Sequence, residues 1–161
     1  MIGMFTRLFA RREPVLTEAR PRDAAAIAAI HAASFRRGWS DGEFERLLLE
    51  RNTVAHRATV GRALHGFILS RLAGDEAEIL SVAVASAWQG RGLARALLNL
   101  HLRRLAGLGA RAVFLEVDED NEPARRLYRR AGFREVGRRE GYYQQDRDRA
   151  AAALVLRRDL V

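Results

Sequence analysis

Residues 78–96 read EILSVAVASAWQGRGLARA. The stretch opens on an apolar run interrupted only by Ser81, and β-branched Ile79, Val82 and Val84 give that run the character of a buried strand. Gln89-Gly90-Arg91-Gly92 then turns the chain. Beyond the turn the period changes: Leu93, Ala96, Leu97 and Leu100 recur at i, i+3, i+4 and i+7, the spacing of an amphipathic helix. A strand therefore delivers the chain to a glycine-rich loop, and the loop opens a helix. The first-turn N–H groups of that helix and its partial positive charge favour an anion. Glycines let a phosphate or pyrophosphate come close to the backbone there. No Lys-Ser/Thr follows, so this is not a Walker loop, and it does not fit G-x-G-x-x-G. On these residues alone, a purely geometric glycine turn is the alternative.

The composition suits one soluble domain with a substantial core: 161 residues, 48% hydrophobic and 30% charged. No apolar run approaches the roughly 20 residues that span a bilayer, which argues against stable membrane insertion. With no cysteine, disulfides and thiolate chemistry are excluded, and a cytoplasmic home is the simplest expectation. All 28 basic residues are arginine and the net charge is +8, so the surface favours anions such as an anionic cofactor, RNA or a ribosomal neighbourhood. No aromatic-interleaved basic motif supports a nucleic-acid surface, and DNA is not an expected partner.

Residues 1–12, MIGMFTRLFARR, form a basic N-terminal extension, read as a loosely docked terminus with a membrane-surface or targeting role as the alternative. Residues 13–161 read as a single domain. A short strand is expected at 15–19 and a helix at 23–34 after Pro21. Ser40 and Glu43 form a capping box for a helix at 41–51. Alternating strands are expected at 53–60 and 64–72, then the strand, loop and helix described above. Another strand, AVFLEV, covers 112–117, and Asn121-Glu122-Pro123 starts a further helix that Gly132 stops. Strands at 133–143 and 152–156 follow, joined by a polar connection at 144–149. The sum is an α/β (α+β) fold: a mixed, mostly antiparallel twisted sheet of about seven strands flanked by about four helices.

Two side chains in this plan look chemical. Glu116 interrupts an apolar strand, and a carboxylate buried in a central strand is costly without a partner but makes a useful base. A salt bridge to one of the many arginines, or a place at the open end of the sheet, is the plainer reading. Tyr128 lies on the apolar face of its helix and would pass for an ordinary core tyrosine. Asn121 has the commonest role of its type, a helix cap. Trp39 either staples two helices together or lines a groove. His31, His56, His65 and His101 fall on separate elements, and no metal site is expected.

Together these residues resemble the GNAT superfamily of acyl-CoA-dependent N-acetyltransferases. Gln89-Gly90-Arg91-Gly92-Leu93-Ala94 is similar to the family's Q/R-x-x-G-x-G/A signature, with Ala94 where glycine is commoner. Asn121, Ala124, Leu127-Tyr128 and Gly132-Phe133 resemble its N-x-x-A…LY…GF segment. Within the superfamily, Phe35…Trp39-Ser40, Phe114-Leu115-Glu116-Val117 and Arg138-Arg139-Glu140-Gly141-Tyr142-Tyr143 look most like the RimI-type enzymes, which acetylate the N-terminal amine of a ribosomal protein. The resemblance implies Glu116 as base and Tyr128 as acid. It implies that backbone groups of Val82, Ala83, Val84, Gly90, Arg91, Gly92, Leu93, Ala94 and Arg95, with Gln89 and the Asn121 side chain, hold acetyl-CoA as co-substrate. Trp39, Tyr142 and Tyr143 would flank a groove for a protein N-terminus or peptide, with a ribosomal protein as the expected partner. The acidic run Asp118-Glu119-Asp120 could attract a cationic acceptor. A small amine (an aminoglycoside or polyamine) or a non-catalytic acyl-CoA-binding module are the competing readings, and the oligomeric state is open.

Overall fold

The computed structural model describes residues 12–35, 37–141 and 152–161. Strand β1 (Val15–Glu18) leads through a 3-10 turn at Pro21–Asp23 into helices α1 (Ala24–Ser34) and α2 (Asp41–Leu49). Strands β2 (Thr53–Val60), β3 (Ala63–Ala73) and β4 (Glu76–Val84) form an antiparallel meander. A 3-10 turn at Ser86–Trp88 and the glycine loop lead into α3 (Leu93–Gly107). Then come β5 (Ala112–Asp118), α4 (Glu122–Arg130), β6 (Arg134–Arg139) and β7 (Ala153–Asp159). The strands lie in the order β1-β2-β3-β4-β5-β7-β6, and β4–β5 is the one parallel pair. This is the mixed, mostly antiparallel seven-stranded architecture the sequence predicts.

Element ends differ from the expected ones for local reasons. Residues 21–23 form a 3-10 turn rather than the first turn of α1, because the Asp23 carboxylate turns back to accept the Arg20 N–H at 2.7 Å. Its other oxygen meets Arg57 on β2 at 2.6 Å, which ties the start of α1 to the sheet. Helix α2 stops at Leu49, with Glu50 already extended. The capping box is present as read: the Ser40 hydroxyl accepts the Glu43 N–H and the Glu43 carboxylate accepts the Ser40 N–H. Of the N-terminal extension only Arg12 is described, and the connection at 144–149 lies outside the described residues.

Apolar faces sort the helices onto the two sides of the sheet. On one side Ile27, Ile30 and Phe44 of α1 and α2 pack with Ala55, Phe67, Leu69 and Ala83. On the other, Leu97, Leu98, Leu102 and Leu105 of α3 and Tyr128 of α4 pack with Ile68, Ile79, Val84, Val113 and Leu115. Strand β4 changes hand between these cores. Ala77 and Ile79 face α3, yet the next residues on that side are Val82 and Val84, while Leu80 and Ala83 face α1. The register explains the shift: Ser70 pairs with Ile79 and Leu69 with Ser81, so Leu80 is an extra residue, a β-bulge. Parallel pairing with β5 covers Glu76 to Ile79 against Ala112 to Leu115 and stops at the bulge.

One polar cluster joins α3 to the sheet. His56 Nδ1 and His101 Nδ1 lie 2.7 Å apart, and His101 Nε2 is 2.6 Å from the Ser70 hydroxyl. His101 is fully buried, and that burial, with His56 alongside, pushes its pKa down to about 3; burial lowers His56 as well. Both rings are therefore neutral in the folded protein at pH 7. The unfolded chain takes up protons near pH 6.5 that the folded one refuses, so stability is full above that pH and falls as pH drops toward 3. Denaturant titrations should show a loss on the order of 2–3 kcal/mol between pH 7 and pH 4. His101→Gln should flatten that slope, and an unchanged slope would remove the cluster as its source.

Candidate active site

Three sets of backbone groups meet at the end of the sheet where β4 and β5 finish. The first is β4 itself. From residue 81 to 84 it keeps β3 as its partner on one side but has lost β5 on the other. Its polar edge there, over Val82, Ala83 and Val84, is open to a ligand strand or chain. The Ser81 hydroxyl at the bulge is buried with no hydrogen-bond partner among the described residues.

The second set is the glycine loop. Gly90 and Gly92 both have positive φ, 74° and 79°, which explains why glycine stands at each. Open space lies where a Cβ would project from either one. Gly92 is the N-cap of α3 and, having no side chain, supplies no capping oxygen to the helix. The N–H groups of Leu93, Ala94 and Arg95 in the first turn therefore suit an anion. Gln89 ties the loop to the strand by donating from Nε2 to the Val84 carbonyl at 3.3 Å. Arg91 lies over the Trp88 ring at 5.0 Å. A hollow of about 700 Å³ beside the loop, between Leu16, Val60, Trp88 and Leu93, opens toward β1 and does not include Glu116.

The third set is the start of α4. Asn121 is its N-cap, and its Oδ1 accepts the Ala124 N–H at 3.2 Å. The capping role is thus real, and it turns the exposed amide nitrogen of Asn121 toward other partners. A loop of open glycines, an uncapped helix and a freed strand edge fit a long, anionic, amide-bearing ligand such as an acyl-coenzyme A.

Glu116 departs from its expected setting. It is not buried: the side chain is 39% exposed and Oε1 pairs with Arg139 at 2.7 Å. The reason is the reach of the helices. Val113, Leu115 and Val117 face α3 and α4, so Glu116 points to the other side, where α1 and α2 pack mainly on β2, β3 and β4. The plainer reading of this residue, an arginine partner at the open sheet end, is the one realised. Tyr128 is buried under α4 with its ring edge-on to Phe133 at 5.6 Å. Burial pushes its phenol well above the usual tyrosine range, so it keeps its proton. Glu116 and Tyr128 share no hydrogen bond and lie on opposite faces of the sheet.

Trp39 is packed: its ring lies 5.1 Å from His31 and 5.4 Å from Phe44, which is the stapling role. Phe35, 42% exposed, continues the stack on the far side of His31. This aromatic group and Glu116 share one face of the sheet. Tyr142 and Tyr143 lie outside the described residues. Sequence reasoning missed the bulge, whose trace is the three-residue step from Ile79 to Val82, and the Arg139 partner, for which nothing in the local sequence speaks.

The chain matches the acetyltransferase (GNAT) family over residues 24–133. It is 36% identical to the N-alpha-acetyltransferase RimI of Mycobacterium tuberculosis, over 91% of this chain and 94% of that one. It is 32% identical to the [ribosomal protein bS18]-alanine N-acetyltransferase of Escherichia coli K12, over 65% of this chain and 70% of the relative. The crystal structure of the ribosomal-protein-S18-alanine N-acetyltransferase from Escherichia coli superposes with a TM-score of 0.84 at 25% identity, covering 91% of this chain and 94% of that one. With the family match spanning residues 24–133 and the relative covered nearly end to end, this chain belongs to the GNAT family of N-acetyltransferases, enzymes that draw their acetyl group from acetyl-CoA.

Proposed function

We propose that the chain acetylates the N-terminal α-amino group of a protein, of the ribosomal-protein type, in the cytoplasm. The observation that carries this reading is the position of Glu116: a half-exposed carboxylate beside the freed end of β4, on the face of β5 turned away from α3 and α4. The end of a polypeptide can reach such a group without being engulfed. A small polyamine or aminoglycoside would call for an enclosed acidic pocket, whereas Glu116 is matched by Arg139 and Glu119 by Arg138. The activities for which these relatives are named point the same way.

In this reading the chain's own residues divide the work between the two faces. The loop and first turn of α3 hold the anionic end of the donor, and Asn121 adds a polar contact at the head of α4. The open edge of β4 holds the extended arm and offers N–H groups to polarise a carbonyl set in the gap. The donor supplies one acetyl group activated as a thioester. An α-amino group titrates near pH 8, so at neutral pH much of it carries a proton that must leave before attack. Glu116 takes that proton, directly or through water, on the face where the amine enters. Tyr128 keeps a proton at Oη on the opposite face, where a departing thiolate would need one. Holding both partners across one gap supplies proximity.

Glu116→Gln and Tyr128→Phe should each lower kcat by roughly 10²-fold or more, the usual worth of a general base or acid, with the Kd for acetyl-CoA unchanged. Turnover at the native rate in either variant would remove that residue from its role. Gly92→Val forces a β-branched side chain into positive φ and into the open cradle. Titration calorimetry should show acetyl-CoA binding weakened about tenfold or more, about 1.4 kcal/mol, while circular dichroism stays native. The acceptor is decided by a panel of peptides differing in their first residues beside polyamines and aminoglycosides, with the peptides expected to be acetylated.

A further inference from the structure

His31 lies in the last turn of α1 and is almost fully buried, yet nothing in the transfer reaction requires it. Its surroundings give it a defined job. The backbone N–H of Trp39, eight residues on, points at His31 Nδ1 from 3.2 Å. A backbone N–H can only donate, so Nδ1 must present a lone pair and the ring is neutral with its proton on Nε2. The imidazole is stacked against Phe35 at 4.4 Å and Trp39 at 5.1 Å, with Phe44 edge-on at 5.2 Å and Phe67 beyond at 6.5 Å. Phe67 sits directly across from Ala83 in the β3–β4 ladder. The aromatic group therefore runs from β3, next to the strand whose edge is free, to the exposed ring of Phe35.

A second contact holds the same segment. Gly38 lies so close to α1 that a Cβ there would stand 3.2 Å and 3.3 Å from Cα and Cβ of Ala32. The chain next to Trp39 is thus fixed at two points, the helix surface at Gly38 and the ring nitrogen of His31. Only the second can be switched off by a proton.

We propose that neutral His31 is a positioning residue for acceptor binding: it holds Trp39 and Phe35 as one wall of the acceptor groove, and its protonation releases that wall. The inference rests on the acceptor side lying on the α1–α2 face, as in the function proposed above. Protonated Nδ1 would set one N–H against another and lose the contact. Burial among the aromatic rings holds the pKa of His31 below its usual value, and Glu43 of α2 is the nearby charge that pulls it back up. Arg37 and Arg46 act in turn on Glu43, while Phe67 and Ala83 bring no charge from the sheet. Sign and window follow: the wall is set at neutral pH and is lost as pH falls below about 6.5.

His31→Asn keeps an acceptor near the Nδ1 position but cannot titrate, and Gly38→Ala pushes the segment off α1 without touching the ring. The acceptor KM of the wild type, divided by that of His31→Asn, should rise by up to about tenfold per pH unit below the His31 midpoint, because only the neutral fraction binds. The KM for acetyl-CoA should hold steady, and taking the ratio cancels protonation of the acceptor amine itself. Gly38→Ala should raise the acceptor KM several-fold at every pH. A flat ratio, or an equal rise in the KM for acetyl-CoA, overturns the proposal. Trp39 emission in a Trp88→Phe background reads the clamp without turnover: a transition below pH 6.5 that His31→Asn abolishes supports it, and no transition, or the same one in both, overturns it. If the wild type acetylates no amine in the panel, the proposed function fails, and the emission titration still decides the clamp.

Discussion

One extra residue in one strand organises this protein. Leu80 has no counterpart in β3, and after it β4 and β5 no longer pair. A parallel pair that stayed zipped would satisfy its own backbone and leave nothing for a ligand to bond. Because pairing ends midway, β4 reaches the glycine loop with one polar edge still open. The same residue also exchanges the faces of the strand, so that Val82 and Val84 continue the apolar surface begun by Ala77 and Ile79. Opening a cleft and keeping both cores filled are thus a single event in the chain. The unpaired Ser81 hydroxyl lies at that very point.

Signals carried within about ten residues were legible in the sequence. The Ser40–Glu43 box, the change of period at residue 92 and the Asn121 cap each act through contacts three or four residues apart, and each stands in the structure as read. The glycine loop belonged to this group, since its glycines and the uncapped start of α3 are neighbours. What escaped depends on distant partners. Whether Glu116 is covered turns on how far α1 and α2 reach across the sheet, and an apolar strand sequence carries no record of that. The insertion of β7 between β5 and β6 likewise follows from pairing over some forty residues. His56 and His101, 45 residues apart, were two scattered histidines on paper and one buried pair in space.

The two outer strands show how the sheet ends safely. β1 has four residues and little buried surface. β6 carries Arg134, Glu135, Arg138 and Arg139 and is exposed along nearly its whole length. Short length and dense charge discourage another strand from adding to either edge. The arginines of β6 serve the interior as well, since Arg139 reaches over β7 to Glu116 and Arg138 to Glu119. A rim that guards against aggregation thereby also frames the carboxylates beside the cleft.

Helix α3 begins at a residue with nothing to close its own first turn. Most helices carry that closure in their sequence; in the function proposed above, the anionic end of the donor supplies it here. On that proposal the folded form is a two-component structure, with the peptide as one piece and the donor as the other, and a molecule that binds only the folded form adds to its stability in proportion to the logarithm of its concentration.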